Sequence, residues 1–288
     1  MSLIKYLKIA DFLIRLKSEI PVFLDEGYLP FVVNEDSLLP DLVLTCMPEL
    51  QVKLFDRAPV LFEASDNTGI LYRIHRHNDG LAFFLYDQQL ERTLQQILLL
   101  NSDCKEGIVY TLPESDGRFD VMKYPLGPIL IYYLTARNNA VLIHASGVFD
   151  GHKGRLFTGF SGTGKSTMAG LWESAGNRII NDDRLVIRKQ ENEYVMYNTP
   201  MYYPDEPKSA PLHAIHLIRH EPVNTMEHIA GAKAISNVMA FCIQNNYDAS
   251  LIGNNVGFIT GMTGQIPVYK TGFVPDWSAV TYISEHED

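Results

Sequence analysis

The pattern of apolar and polar positions changes near Tyr124. Before it, short apolar runs alternate with turn residues, which predicts a β-rich region over the first ~120 residues. The clearest unit there is a hairpin: strands over 69–76 and 81–86, joined at Asn78-Asp79-Gly80. Asp-Gly suits a tight hairpin turn. Leu94, Ile97 and Leu98 recur at helical spacing, so residues 90–100 are expected to be a helix.

After Tyr124 the elements lengthen. Apolar spacing predicts a helix over 125–136 and a buried strand over 140–149. Asp150-Gly151 turns that strand into a second one over 154–158. Met168, Leu171, Trp172 and Ala175 then recur at helical spacing, giving a helix over 166–175. A short strand over 178–181 ends at Asp182-Asp183, and 185–187 pairs with 194–197. A strand over 212–219 follows. A helix over 230–244 turns Ile235, Val238, Met239 and Cys242 to one side, as a core-facing amphipathic helix does.

Between the second strand and its helix lies Gly159-Phe160-Ser161-Gly162-Thr163-Gly164-Lys165-Ser166-Thr167, which matches the phosphate-binding (P-loop, Walker A) pattern G-x-x-x-x-G-K-[ST] without a mismatch. Glycines allow positive φ, so that backbone N–H groups turn inward around a polyphosphate. Gly159, Ser161, Gly162, Thr163, Gly164, Lys165, Ser166 and Thr167 are the expected nucleotide-binding residues. Lys165 would reach the β- and γ-phosphates, and the Ser166 hydroxyl would bind Mg²⁺. The following helix points its positive end at the anion. Because the loop follows a strand–turn–strand pair, it does not belong to a simple βαβ layout.

Composition adds limits. The 288 residues can form one large or two ordinary domains, and 46% hydrophobic residues suffice for a core. A formal net charge of −10 makes the chain a poor general partner for nucleic acid. Cys46, Cys104 and Cys242 are few, odd in number and far apart, which predicts a reducing compartment and no disulfide framework. The first residues do not read as a signal peptide, and no apolar run approaches the ~18 residues a membrane span needs. A soluble, cytoplasmic protein with no membrane partner is expected.

A phosphate loop needs an acidic partner for the metal and the nucleophile. Asp182 and Asp183 follow the loop by one helix and one short strand. Neighbours on a strand point oppositely, so one of them is expected to face the metal. His144, in an apolar strand, reads on its own more readily as a packed residue than as a functional one. His213, His216 and His220 read as scattered strand residues, and His75 and His77 as surface polar residues. Lys208, in a proline-bounded loop, fits a phosphate cap and a solvated turn equally well.

Ile143-His144-Ala145-Ser146-Gly147, the glycine loop and Asn181-Asp182-Asp183-Arg184 together resemble the catalytic core of the HPr kinase/phosphorylase family. The resemblance runs over roughly residues 125–285 and is strongest over 143–184. It implies a core similar to that of phosphoenolpyruvate carboxykinase. It also implies Asp183 as general base or positioner for an acceptor serine, Asp182 as metal or hydrogen-bonding partner, and His144 beside the transferring phosphoryl group. The glutamate-bearing signature with which that family continues is not found here. Residues 198–203 and 208–212 resemble instead the HPr-kinase-related proteins whose acceptors are other than HPr.

The expectation is therefore an α/β protein with a mixed (α+β) sheet. Residues 1–123 form a β-rich N-terminal domain that could recognise the acceptor, and 124–288 a P-loop, HPr-kinase-like catalytic domain. The activity expected is a Mg²⁺–ATP-dependent kinase acting on a hydroxyl, chiefly serine of a protein or peptide. His144, Lys165, Asp182 and Asp183 are the catalytic set, and Ser166 and Asp182 the metal ligands. The alternatives are a nucleotide-binding regulator without transfer and a small-metabolite kinase. A carboxykinase ranks last, for want of a clear set of additional basic ligands. The resemblance leaves a homo-oligomer open.

Overall fold

A computed structural model describes residues 2–34, 38–50, 59–66, 69–87, 93–244 and 247–287. These residues form two mixed β-sheets and five α-helices, a mixed α/β protein. The chain divides into two compact units, Met1–Arg137 with Pro200–Glu206, and Asn138–Thr199 with Pro207–Asp288.

The first unit carries β1 (Leu3–Ile9), β2 (Phe12–Ser18), β3 (Val32–Val33), β4 (Leu42–Met47), β5 (Val60–Asp66), β6 (Gly69–His77), β7 (Gly80–Tyr86), β8 (Leu94–Leu100) and β9 (Glu106–Thr111). They lie in the order β3-β1-β2-β4-β9-β8-β7-β6-β5. The β2/β4 and β4/β9 pairs are parallel and the others antiparallel. The predicted hairpin is β6–β7, with His77 opposite Gly80 and Asn78 at φ 51°.

Two expectations change here. Residues 94–100 form a strand, not a helix; the expected start at Leu90 lies outside the described residues. Leu-Gln-Gln-Ile-Leu-Leu-Leu sits between β7 and β9, where an interior strand buries apolar residues on both faces and hides the period of two. The division between units falls after Arg137, not before Tyr124. The helix α1 (Leu126–Arg137) explains this: every residue from Leu126 to Ala136 except Pro128 is buried. A helix apolar all round needs a core on all sides, and α1 finds it in the first unit. Tyr133 lies edge-on to Phe83 of β7 at 5.2 Å.

The second unit contains β10 (Ala140–Phe149), β11 (Gly154–Thr158), α2 (Lys165–Ser174), β12 (Arg178–Gln190), β13 (Glu193–Asn198), β14 (Ser209–Pro211), β15 (Ala214–His220), β16 (Thr225–Ile229), α3 (Gly231–Met239), α4 (Ala249–Thr263), β17 (Val268–Phe273) and α5 (Trp277–His286). Its sheet runs β14-β13-β12-β10-β11-β15-β17-β16. β11, β15 and β17 are parallel neighbours, while β10 is antiparallel to both β11 and β12. Side chains alternate across the sheet. Phe157 packs with Trp172 of α2 and Ile283 of α5, whereas its neighbour Leu156 packs with Val238 of α3 and Ile259 of α4. Helices therefore cover both faces.

The expected break at Asp182-Asp183 does not occur; residues 178–190 are one strand. The polar run stays extended because its backbone pairs with β10, as Gly147↔Asn181, Ser146↔Asp182, Ala145↔Asp183 and His144↔Arg184. The register slips between Gly147 and Val148, a bulge that takes up one extra residue of β12. The helix expected over 230–244 ends at Met239, after which Cys242 bridges Ile143 of β10. The strand expected over 212–219 is β15, two residues later at its start.

Candidate functional site

The turn between β10 and β11 uses Gly151 at φ 93°, and β11 delivers the chain into the glycine loop. Within the loop Gly162 and Gly164 hold φ of 81° and 94°. Only glycine adopts such angles without steric cost. Gly159 is needed for closeness: a Cβ there would meet Thr163 Oγ1 at 2.6 Å and the Ile218 carbonyl at 2.9 Å. Thr163 closes the turn on itself, its Oγ1 donating to the Phe160 carbonyl at 2.8 Å.

Gly164 is the N-cap of α2 and offers no side-chain cap. The first N–H groups of a helix have no partner within it. The mouth of the loop is thus the positive end of α2. Trp172 and Met168 anchor this helix in the core.

Lys165 begins α2 and is only 9% exposed. Its Nζ donates to the carbonyls of Gly159, at 3.1 Å, and Phe160, at 3.2 Å. Burial lowers the ammonium pKa below the ordinary lysine value, while Asp182 and Asp183 pull it back up. Those carboxylates therefore act on the same amine.

The register of β10 on β12 builds the acidic side. Buried Ser146 donates its hydroxyl hydrogen bond to Asp182 Oδ1. The Asp182 N–H donates to Asn181 Oδ1 at 3.0 Å. Asp183 is held from two sides: Arg184 Nε donates to Oδ2 at 2.8 Å, and His144 Nε2 lies 3.6 Å from Oδ1. His144 is 46% exposed and Asp183 37%, so both open to solvent. The His144 carbonyl accepts from Thr158 Oγ1 at 2.7 Å, tying its strand to the end of β11. Burial, and then Lys165, hold His144 below the ordinary imidazole range, against the pull of Asp183.

The structure thus gathers His144, Lys165, Asp182 and Asp183 into one electrostatic neighbourhood. Ser161, Ser166 and Thr167 are exposed at the mouth of the loop. Among the described residues no three His, Cys, Asp or Glu side chains cluster to hold a metal. The expected donors, the Ser166 hydroxyl and the Asp182 carboxylate, are hard oxygens. They suit Mg²⁺, which keeps waters and takes one or two protein ligands beside phosphate.

Three further residues belong to the site: Ser146, Arg184 and His220, the last read from the sequence as a scattered strand residue. Ser146 and Arg184 stand inside the quoted motif segments; the Ser146 contact with Asp182 depends on cross-strand register, whereas Arg184 reaches the carboxylate of its neighbour Asp183. His220 lies under the loop: a Cβ on Gly164 would meet its Nε2 at 2.7 Å. The other histidines have separate duties. His213 Nδ1 accepts the Gly154 N–H at 3.0 Å. Buried His216 contacts Thr271 Oγ1 and Glu287 Oε1, each at 2.9 Å. His75 packs on Phe84 at 5.0 Å. Lys208 donates its N–H to Asn198 Oδ1 at 2.7 Å, joining the two ends of the connection between β13 and β14. None of the three cysteines is in a disulfide and all are buried, and burial pushes the thiols of Cys46 and Cys242 up to about 12. Among the described residues no helix is long and apolar enough to cross a membrane.

No protein-family model matches the chain, and no curated protein is similar to it in sequence. Among solved structures, the Hpr(Ser) kinase/phosphatase from Coxiella burnetii superposes on 50% of this chain and 91% of its own, at 13% identity and a TM-score of 0.29. A likeness at that score is too weak to build on, and the site rests on its own residues.

Proposed function

We propose that residues 159–167 hold the polyphosphate of Mg²⁺–ATP and that the chain transfers the γ-phosphoryl group to a hydroxyl, chiefly serine of a protein or peptide other than HPr. One observation carries the reading. A glycine loop with two positive-φ glycines leads into α2, and its lysine shares an electrostatic neighbourhood with Asp182, Asp183 and His144.

The chemistry follows from placement. Lys165 exchanges its loop carbonyls for phosphate oxygens and offsets their charge. Ser166 and Asp182 would hold Mg²⁺, which supplies further charge neutralisation when bound. Asp182 is aimed by Ser146. Asp183, fixed by Arg184 and His144, orients the acceptor hydroxyl and takes its proton. The acceptor oxygen forms a bond to the γ-phosphorus as the bond to the β–γ bridging oxygen breaks, and ADP leaves. Most of the rate gain in such a reaction is positioning and electrostatics. The first unit, compact in its own right, is proposed to recognise the acceptor.

Asp183→Asn separates the roles. It is expected to keep Mg²⁺–ATP affinity within about threefold while transfer falls by about 10²-fold or more, the usual worth of a general base. Equal losses in binding and transfer would make Asp183 chiefly a metal ligand.

A further inference from the structure

Phe160, the second residue of the glycine loop, is 75% exposed. Its ring meets Phe241 edge to face, with centroids 5.2 Å apart. Phe241 is brought there by backbone pairing. Beyond α3 its carbonyl accepts the His144 N–H at 3.0 Å, Cys242 bridges Ile143, and the Ile243 N–H donates to the Leu142 carbonyl at 2.8 Å. The aromatic pair is therefore anchored to β10 at His144, the residue that faces Asp183.

We propose, resting on the phosphoryl-transfer reading, that Phe160 and Phe241 set acceptor specificity by taking a large apolar side chain next to the phosphorylated serine of a peptide. An acceptor hydroxyl must reach Asp183. His144 stands beside Asp183, and Phe241 is the residue whose backbone pairs with His144. A peptide with its serine at Asp183 thus lays a neighbouring residue against two phenyl rings. Ring faces and edges favour apolar and aromatic partners there. The nucleotide base is the rival occupant, because Phe160 belongs to the glycine loop; Phe241 is tied instead to β10, and Lys165 meets Phe160 at its backbone carbonyl, 3.2 Å away.

The test uses the full chain as wild type, Phe241→Ala, Phe241→Leu and Phe160→Ala. Each is given Mg²⁺–ATP labelled at the γ-phosphate and a serine peptide library randomised on both sides of the serine; Mg²⁺–ATP affinity is measured in parallel. Wild type is expected to label peptides carrying Phe, Leu, Ile or Met beside serine. Both alanine variants should lose about tenfold of that preference, the order of a lost apolar contact in a specificity pocket. Phe241→Leu should keep most of it, and Phe241→Ala should bind Mg²⁺–ATP as wild type does. Label spread evenly by wild type, or a preference unchanged in both alanine variants, overturns the proposal. Weakened Mg²⁺–ATP binding in Phe241→Ala with the preference intact also overturns it and gives the pair to the base. Mg²⁺–ATP bound with no peptide labelled overturns the transfer reading itself, and this inference with it.

Discussion

His144 Nε2 stands 3.6 Å from Asp183 Oδ1, across the antiparallel pairing of β10 with β12. They stand 39 positions apart along the chain, and the strand pairing brings them together. The contact puts a titratable imidazole between a carboxylate that attracts its proton and, at Lys165, a cation that repels it.

That balance predicts an order of titration. In the folded protein His144 is held below the ordinary imidazole pKa by burial first and Lys165 second. Asp183→Asn removes an attraction and should lower the His144 pKa further. Lys165→Ala removes a repulsion and should raise it. Because the folded value is depressed, the neutral form is favoured in the fold; the stability this contributes is present above about pH 6.5, the unfolded value. It is lost as pH falls through the folded pKa. NMR titration of the His144 ring in the three proteins checks the order, and equal values in all three would contradict it.

The loop glycines should differ in their tolerance of a side chain. Gly162→Ala meets nothing within 4 Å and carries only the strain of φ 81°, about 1–2 kcal/mol for an L-residue in that region. Gly164→Ala adds to a φ of 94° a clash with His220 Nε2 and Phe273 Cζ, both 2.7 Å from the new Cβ. Thermal melts should rank wild type above Gly162→Ala, and Gly162→Ala above Gly164→Ala. Equal melting points for the two variants would contradict the packing of His220 under the loop.

A buried ion cluster lies on the strand that feeds the loop. Arg155 of β11 bonds Glu287 at 2.7 Å and Asp150 at 2.6 Å, and its guanidinium lies 4.5 Å over the Trp172 ring of α2. Glu287 also meets His216 at 2.9 Å. Glu287→Ala strips Arg155 and His216 of their shared carboxylate. Removing one partner of such a buried pair costs about 3–5 kcal/mol. Chemical denaturation should show that loss, and a change below about 1 kcal/mol would mean that Arg155 is served by Asp150 alone.

Much of the second unit was legible in the sequence because its local signals agree. The run over 140–149, the Asp150-Gly151 turn and the loop glycines each point to the hairpin that forms. Residues 94–100 misled because an interior strand loses its alternation. The Asp182-Asp183 break misled because backbone pairing with β10 keeps a polar run extended. The helix predicted over 230–244 stops at Met239, because the Phe241 carbonyl and the Ile243 N–H pair with β10 instead. The contacts of the candidate site were least visible. Ser146 on Asp182 and Phe160 on Phe241 are products of register and of chain crossing, and no local pattern encodes them.

The most direct test of the central claim compares wild type and Lys165→Ala for Mg²⁺–ATP affinity and for transfer of the γ-phosphoryl group to serine peptides. Wild type should bind and transfer. Lys165→Ala should bind at least about tenfold more weakly, the loss of roughly 1.4 kcal/mol from one charge-assisted contact, and transfer should vanish. Binding and transfer unchanged in Lys165→Ala, or no Mg²⁺–ATP binding by wild type, would contradict the reading of residues 159–167 as a nucleotide site.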